Sequence, residues 1–332
     1  MIEEQLKSYV DLASEKIGGQ VLYATDDFFA EKENLIKEGR GIFIEDKYTD
    51  RGKWMDGWES RRKRSEGHDW AIIKLGASGK IKGFDIDTNH FLGNHPPFAS
   101  IEAIKLSDAI EDWSSADGLN WKEILPKSPL KPGSQHFFEI DSPEIYTHVR
   151  LHIYPDGGVA RLRVYGEIYK DWTNVDPAEP IDLALITNCG KALYCNDMFF
   201  SNMDNLIMPG SGKNMGDGWE TKRNRTPDNI DYVILHLGHP GIIKKVIVDT
   251  KHFKGNYPES CEIEACHCTN DVDVLDESHH WEILLPRRKL SSDSEHEFED
   301  DILKPLKAVT HLKLKIFPDG GISRLRVFGT LT

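Results

Sequence analysis

A chain of 332 residues is longer than one hydrophobic core usually serves, so two domains of ordinary size are the starting expectation. Hydrophobic content of 39% with 10% aromatics, and charges spread along the chain instead of lying in blocks, exclude a disordered polymer. The net charge of −14 argues against nucleic acid or an anionic membrane surface as main partner, because both demand a concentrated positive field.

The opening Ile2 to Lys16 carries Leu6, Tyr9, Val10 and Ala13 at helical spacing and predicts a short amphipathic helix, stopped by Gly18-Gly19. A strand-like run from Gln20 to Ala24 leads to Asp26-Asp27-Phe28-Phe29 and Asn34-Leu35. The second half gives Leu193-Tyr194-Cys195-Asn196-Asp197-Met198-Phe199-Phe200 and Asn205-Leu206. Before the next shared motif the first half carries a ten-residue insertion, which loops absorb cheaply.

That motif is Asp56-Gly57-Trp58-Glu59-Ser60-Arg61-Arg62-Lys63-Arg64, which returns as Asp217-Gly218-Trp219-Glu220-Thr221-Lys222-Arg223-Asn224-Arg225. A turn-forming Asp-Gly, a large aromatic, a carboxylate and three cations do not recur by chance, so the halves are duplicates. Aliphatic runs of strand length follow, Asp69 to Gly76 against Asp231 to Gly238. Next come Asp87-Thr88-Asn89-His90-Phe91-Leu92-Gly93-Asn94-His95-Pro96 and Asp249-Thr250-Lys251-His252-Phe253-Lys254-Gly255-Asn256-Tyr257-Pro258. Each half closes on a strand, a Pro-Asp-Gly-Gly turn and a strand, Thr147 to Gly166 and Thr310 to Gly329. Alternation there puts Leu162 and Val164 on one face and Arg161, Arg163 and Tyr165 on the other.

Many short strands with few helical stretches predict an all-β protein of two repeated jelly-roll β-sandwiches. The boundaries read as 1–170 for the first repeat, 171–181 for a linker holding Asp176-Pro177-Ala178-Glu179-Pro180, and 182–332 for the second. No apolar run approaches the roughly 18 to 20 residues of a bilayer span. The start lacks the layout of a secretory signal, so a cytoplasmic address without membrane or nucleic-acid partners is expected. Cys189, Cys195, Cys261, Cys266 and Cys268 are expected as reduced thiols. Cys266-His267-Cys268 lacks the spacing of a zinc knuckle and reads as structural.

On the paired DGWE, Asp-Thr-x-His-Phe-x-Gly-Asn and Pro-Asp-Gly-Gly stretches, the chain resembles the allantoicase family over nearly its whole length. The resemblance implies galactose-binding-like jelly rolls, hydrolysis of allantoate to ureidoglycolate and urea in purine (allantoin) degradation, and a homo-oligomer. No cofactor is expected, with a divalent metal left open.

Losing urea from allantoate cleaves an aminal-like C–N bond. A general acid protonates the departing urea, a base assists water, and an arginine fork suits the carboxylate. Glu59, His90 and His95, with Glu220 and His252 in the second repeat, are the candidate acids and bases. Asp56, Asp87, Asn94 and Asn256 are candidate partners for the ureido groups. Arg62, Arg64, Arg161, Arg163, Arg223, Arg324 and Arg326 are candidate clamps for the carboxylate. Tyr257 replaces His95 in the duplicate, which leans the assignment to the first repeat. Other readings stay open: Asp-Gly turns, core tryptophans at Trp58, Trp219, Trp121 and Trp281, a surface ion pair at Glu59, and histidines that merely pin turns. The competing function is a tandem β-sandwich module that binds a small ligand or carbohydrate without reacting it. A metal-dependent amidohydrolase is a third reading, unsupported by any His-x-His or His-Glu-x-x-His spacing.

Overall fold

The computed structural model describes residues 2–107, 110–276, 278–303 and 308–332. The chain forms two compact units, Met1–Tyr169 and Lys170–Thr332.

In the first unit one strand, Asp69–Asp87, organises the rest. Its aliphatic residues are continuous enough to be covered on both sides, and Ile72, Ile73, Ile81, Phe84 and Ile86 are fully buried. What the sequence presents as two strands is therefore one strand of 19 residues. It serves two sets of partners, all antiparallel. The stretch 69–74 pairs with Ile145–Tyr154 and with Gln20–Ala24, whereas 79–87 pairs chiefly with Arg161–Ile168 and 83–87 with Gln135–Glu139. The strands Phe98–Ile104 and Lys122–Pro129 extend one side and Val10–Asp11 the other. The second unit repeats this order around Asp231–Asp249. The all-β, duplicated jelly-roll sandwich is the observed fold.

One local expectation differs. The opening helix covers only Ile2–Lys7, because Val10–Asp11 instead pairs with Tyr165 and Gly166, and the Asp11 carboxylate accepts the Val164 N–H at 3.0 Å. A sheet edge satisfies those backbone groups better than a solvent-exposed helical turn. The strands flanking Pro-Asp-Gly-Gly do not pair with each other; each pairs with a different stretch of the long strand.

The shared motifs meet at this turn. Gly157 has φ of +137°, and a Cβ on Gly158 would lie 2.0 Å from the ring of Phe91, so only glycine lets the fully buried Phe91 pack underneath. Phe253 and Gly321 repeat the contact at 1.9 Å. Burying such a ring stabilises the fold by about 1.5–3 kcal/mol. It also joins the Asp-Thr-x-His-Phe loop to the Pro-Asp-Gly-Gly turn.

Candidate functional site

Glu59 lies on the short strand Trp58–Glu59, held between Gly158–Val159 and a bridge to Ala30. Trp58 is fully buried and its indole N–H donates to the Asp26 carbonyl at 2.8 Å, which fixes the strand and hence the direction of Glu59. The Asn94 amide donates to Glu59 Oε1 at 2.7 Å. Burial pushes this half-buried carboxyl up from its ordinary value, and the Asn94 bond pulls part of the way back. The second repeat keeps the pair as Asn256 donating to Glu220, with Trp219 donating to the Asp197 carbonyl at 2.8 Å.

The cations beside this pair divide into two kinds. Arg61 is committed to Asp26, its Nε donating at 2.7 Å, and Lys63 to Asp69 at 2.7 Å. Arg62 and Arg64 are exposed and have no hydrogen bond or ion pair among the described residues; the same holds for Arg223 and Arg225. Exposed guanidinium groups with no partner among the described residues are available to an anion.

His90 and His252 both adopt left-handed backbone, φ +68° and +73°. His252 Nε2 donates to the Gly212 carbonyl at 2.7 Å and so ties one loop to another. The His90 ring lies beside Phe43, centroids 5.6 Å apart, where the first-repeat insertion covers it. His95, next to Asn94, carries a buried Nδ1 with no hydrogen-bond partner among the described residues.

Asp56, Arg161 and Arg163 are brought together differently. Arg161 is buried, donates to Asp56 Oδ2 at 2.8 Å and to the Asp56 carbonyl at 3.1 Å. Burial would raise the Asp56 carboxyl; the Arg161 bond and the Ile42 N–H outweigh it and hold it below its usual range. Arg163 donates to the Lys37 carbonyl at 2.5 Å and sits 3.3 Å from Asp11. In the second repeat Arg324 binds Asp217 at 3.0 Å and Arg326 donates to the Gly210 carbonyl at 2.7 Å. These four guanidinium groups thus clamp the Asp-Gly turns and the preceding loops. Asp249 is buried and caps its own turn by accepting the Lys251 N–H at 2.8 Å.

A cavity of about 350 Å³ in the first unit is lined by Asp85, Asp87, Gln135, Arg161, Arg163 and Arg40, among others. Arg40 grips Asp87 through two donors at 2.8 and 3.0 Å. Burial raises the Asp85 carboxyl to about 6, against the opposing bond from Gln135 at 2.6 Å. Arg40, Asp85 and Gln135 were absent from the sequence-derived set. A usable signal existed for Asp85: two residues from Asp87 on a strand, it must share that residue's face, and it pairs in register with Arg163. The second repeat places Ile247 opposite Arg326, so Asp85 has no acidic counterpart there, whereas Asp87 and Arg161 recur as Asp249 and Arg324.

All five cysteines are free thiols. Among the described residues no helix is long and apolar enough to cross a membrane.

Two antiparallel sandwiches in tandem, each carrying its Glu–Asn pair and, among the described residues, unpaired arginines on matching loops, define a duplicated jelly-roll protein with matching polar loops in each copy. The family model described as allantoicase repeat matches residues 10–169 and again 181–332, and the chain belongs to the allantoicase family. It is 50% identical to a "probable allantoicase" of Photobacterium profundum over 97% of both chains. It is 51% identical to one of Stutzerimonas stutzeri over 97% of this chain and 96% of that one. The crystal structure of allantoicase from Saccharomyces cerevisiae superposes with a TM-score of 0.79 at 39% identity, covering 98% of this chain and 97% of that chain.

Proposed function

We propose that this chain is an allantoicase-type hydrolase that cleaves allantoate to ureidoglycolate and urea, within purine (allantoin) degradation. Likeness to allantoicases along both repeats, at about half identity, carries this reading over the alternative of a non-catalytic binding module. The same proposal includes a cytoplasmic address and self-association.

In the proposed mechanism Arg62 and Arg64 hold the substrate carboxylate. Protonated Glu59 gives its proton to the departing ureido nitrogen as the C–N bond breaks, while the lone pair of the second ureido nitrogen forms the transient C=N bond. Urea leaves, water adds to the carbon, and His90 or His95 takes the proton water gives up. Burial raises the pKa of Glu59 and so keeps a larger share of it protonated, which is what a general acid requires. Asp85 is a second candidate for the acid, favoured by its place in the cavity with a carboxyl raised to about 6.

Incubating the purified protein with allantoate and assaying urea tests the activity; absence of urea, with and without added divalent metal, removes it. Glu59→Gln and Asp85→Asn, compared at equal folded concentration, then decide which carboxyl supplies the proton.

A further inference from the structure

The second repeat contains a cluster that the reaction above does not use. His236 and His311 stand opposite each other on paired strands, their rings stacked with centroids 4.5 Å apart and planes at 25°. Both present a nitrogen to the same carboxylate oxygen, Asp271 Oδ1: His236 Nδ1 at 2.8 Å and His311 Nε2 at 3.1 Å.

His311 is held by its neighbour. Thr310 Oγ1 accepts the Cys268 N–H at 2.8 Å and lies 3.0 Å from the Cys268 carbonyl and 3.3 Å from that of Cys266. The contact of 2.9 Å between Thr310 Oγ1 and His311 Nδ1 carries a hydrogen from either atom and fixes the ring orientation. His311 Nε2 is within hydrogen-bond distance of the Asp271 carboxylate at 3.1 Å. His236 Nδ1 reaches the same oxygen without making a hydrogen bond. Two imidazole nitrogens converging on one carboxylate oxygen form a donor set that a metal ion can occupy in place of the protons. His279, within electrostatic reach of His311, adds an Nε2 that is buried and has no partner among the described residues.

We propose that His236, His311 and Asp271 bind a divalent transition-metal ion of the zinc, cobalt or nickel class, with His279 as an available fourth donor. The three donor atoms lie within 4.8 Å of one another, and imidazole with carboxylate is the donor set these ions take. Thr310 supplies the outer-shell bond that orients a ligating histidine. Asp271 is partly exposed on a loop, so it can move outward to the separation that metal bonds of about 2.0–2.2 Å require. The first repeat cannot copy the site: Lys74 stands where His236 does, and the equivalent His148 packs against Trp113 with centroids 5.1 Å apart. His236 lies five residues along its strand from Asp231, the position next to the Pro-Asp-Gly-Gly end, or about 17 Å at strand rise. The ion would pin the 267–272 loop to the sheet, not act on substrate.

The test is titration of Co²⁺ into chelator-stripped full-length protein, read by its visible d–d band, with thermal melts in Zn²⁺. One Co²⁺ per chain is expected, weakened at least tenfold in His236→Asn and in Asp271→Asn. Both positions are partly exposed, so both variants should fold; Zn²⁺ should raise the melting temperature of the wild type alone. No band, or equal binding by wild type and variants, overturns the site. Urea release should persist in stripped protein; loss restored by metal would overturn the structural role assigned to the ion, while leaving the hydrolase reading intact.

Discussion

The Asn94 amide donates to Glu59 Oε1 at 2.7 Å, so a loop 35 residues away in sequence sets both the direction and the acidity of the proposed acid. Asn94 stabilises the charged form of Glu59. Removing it in Asn94→Ala should push the carboxyl further up. Because the acid works protonated, activity is lost as pH rises through its titration. The alkaline limb of kcat/KM should therefore move to higher pH in Asn94→Ala, and Glu59→Gln should lower kcat by about 10²–10⁴-fold. An unmoved limb with an intact fold would reassign the acid.

Arg62 and Arg161 should respond in opposite ways although both are arginines near the same motif. Arg62 is exposed and unpaired among the described residues, so Arg62→Gln should raise KM for allantoate at least tenfold and leave the melting temperature unchanged. Arg161 is buried against Asp56. Arg161→Gln strands that carboxylate and should cost about 3–5 kcal/mol of stability. A purely kinetic phenotype for Arg161→Gln would return that residue to the substrate.

Gly158→Ala and Gly321→Ala should each destabilise their own repeat. The added methyl would stand 2.0 and 1.9 Å from the rings of Phe91 and Phe253. Overpacking of this kind costs about 1–3 kcal/mol. Chemical denaturation of both variants reads this directly; an unchanged midpoint would mean that the turns have room to shift.

The Asp85 carboxyl gives a pH signature. Its folded-state value is raised to about 6, above the unfolded value of about 3.9, so the native state holds its proton more tightly. The associated stability is fully present below pH ~4 and is lost as pH rises through ~6, on the order of 2–3 kcal/mol. Asp85→Asn removes this dependence. Melts of wild type and variant across that window should diverge as pH rises, with the wild type losing ground; parallel curves would mean that the carboxyl titrates normally.

Several features were legible before any coordinates because their cause is local. Duplication shows in the paired DGWE and Pro-Asp-Gly-Gly strings. Strand parity placed Leu162 and Val164 in the core and Arg161, Arg163 and Tyr165 on the opposite face, as observed. The helix expectation at the start was only partly met because apolar spacing cannot see that Val10 and Asp11 have a sheet edge waiting for them. Asp85, Arg40 and the His236–Asp271–His311 group carry no motif.

By itself the chain determined that it would be a tandem all-β protein with acid, guanidinium and imidazole groups on repeated loops, since turn residues, strand alternation and repetition act over a few residues. Only tertiary structure decided which of those groups are free to act. Arg161 meets Asp56 across 105 positions and Arg163 meets the Lys37 carbonyl across 126. Whether a guanidinium is consumed by such a partner or left open to an anion depends on distances that chain closure alone creates, because hydrogen bonds and ion pairs lose their strength within a few ångströms.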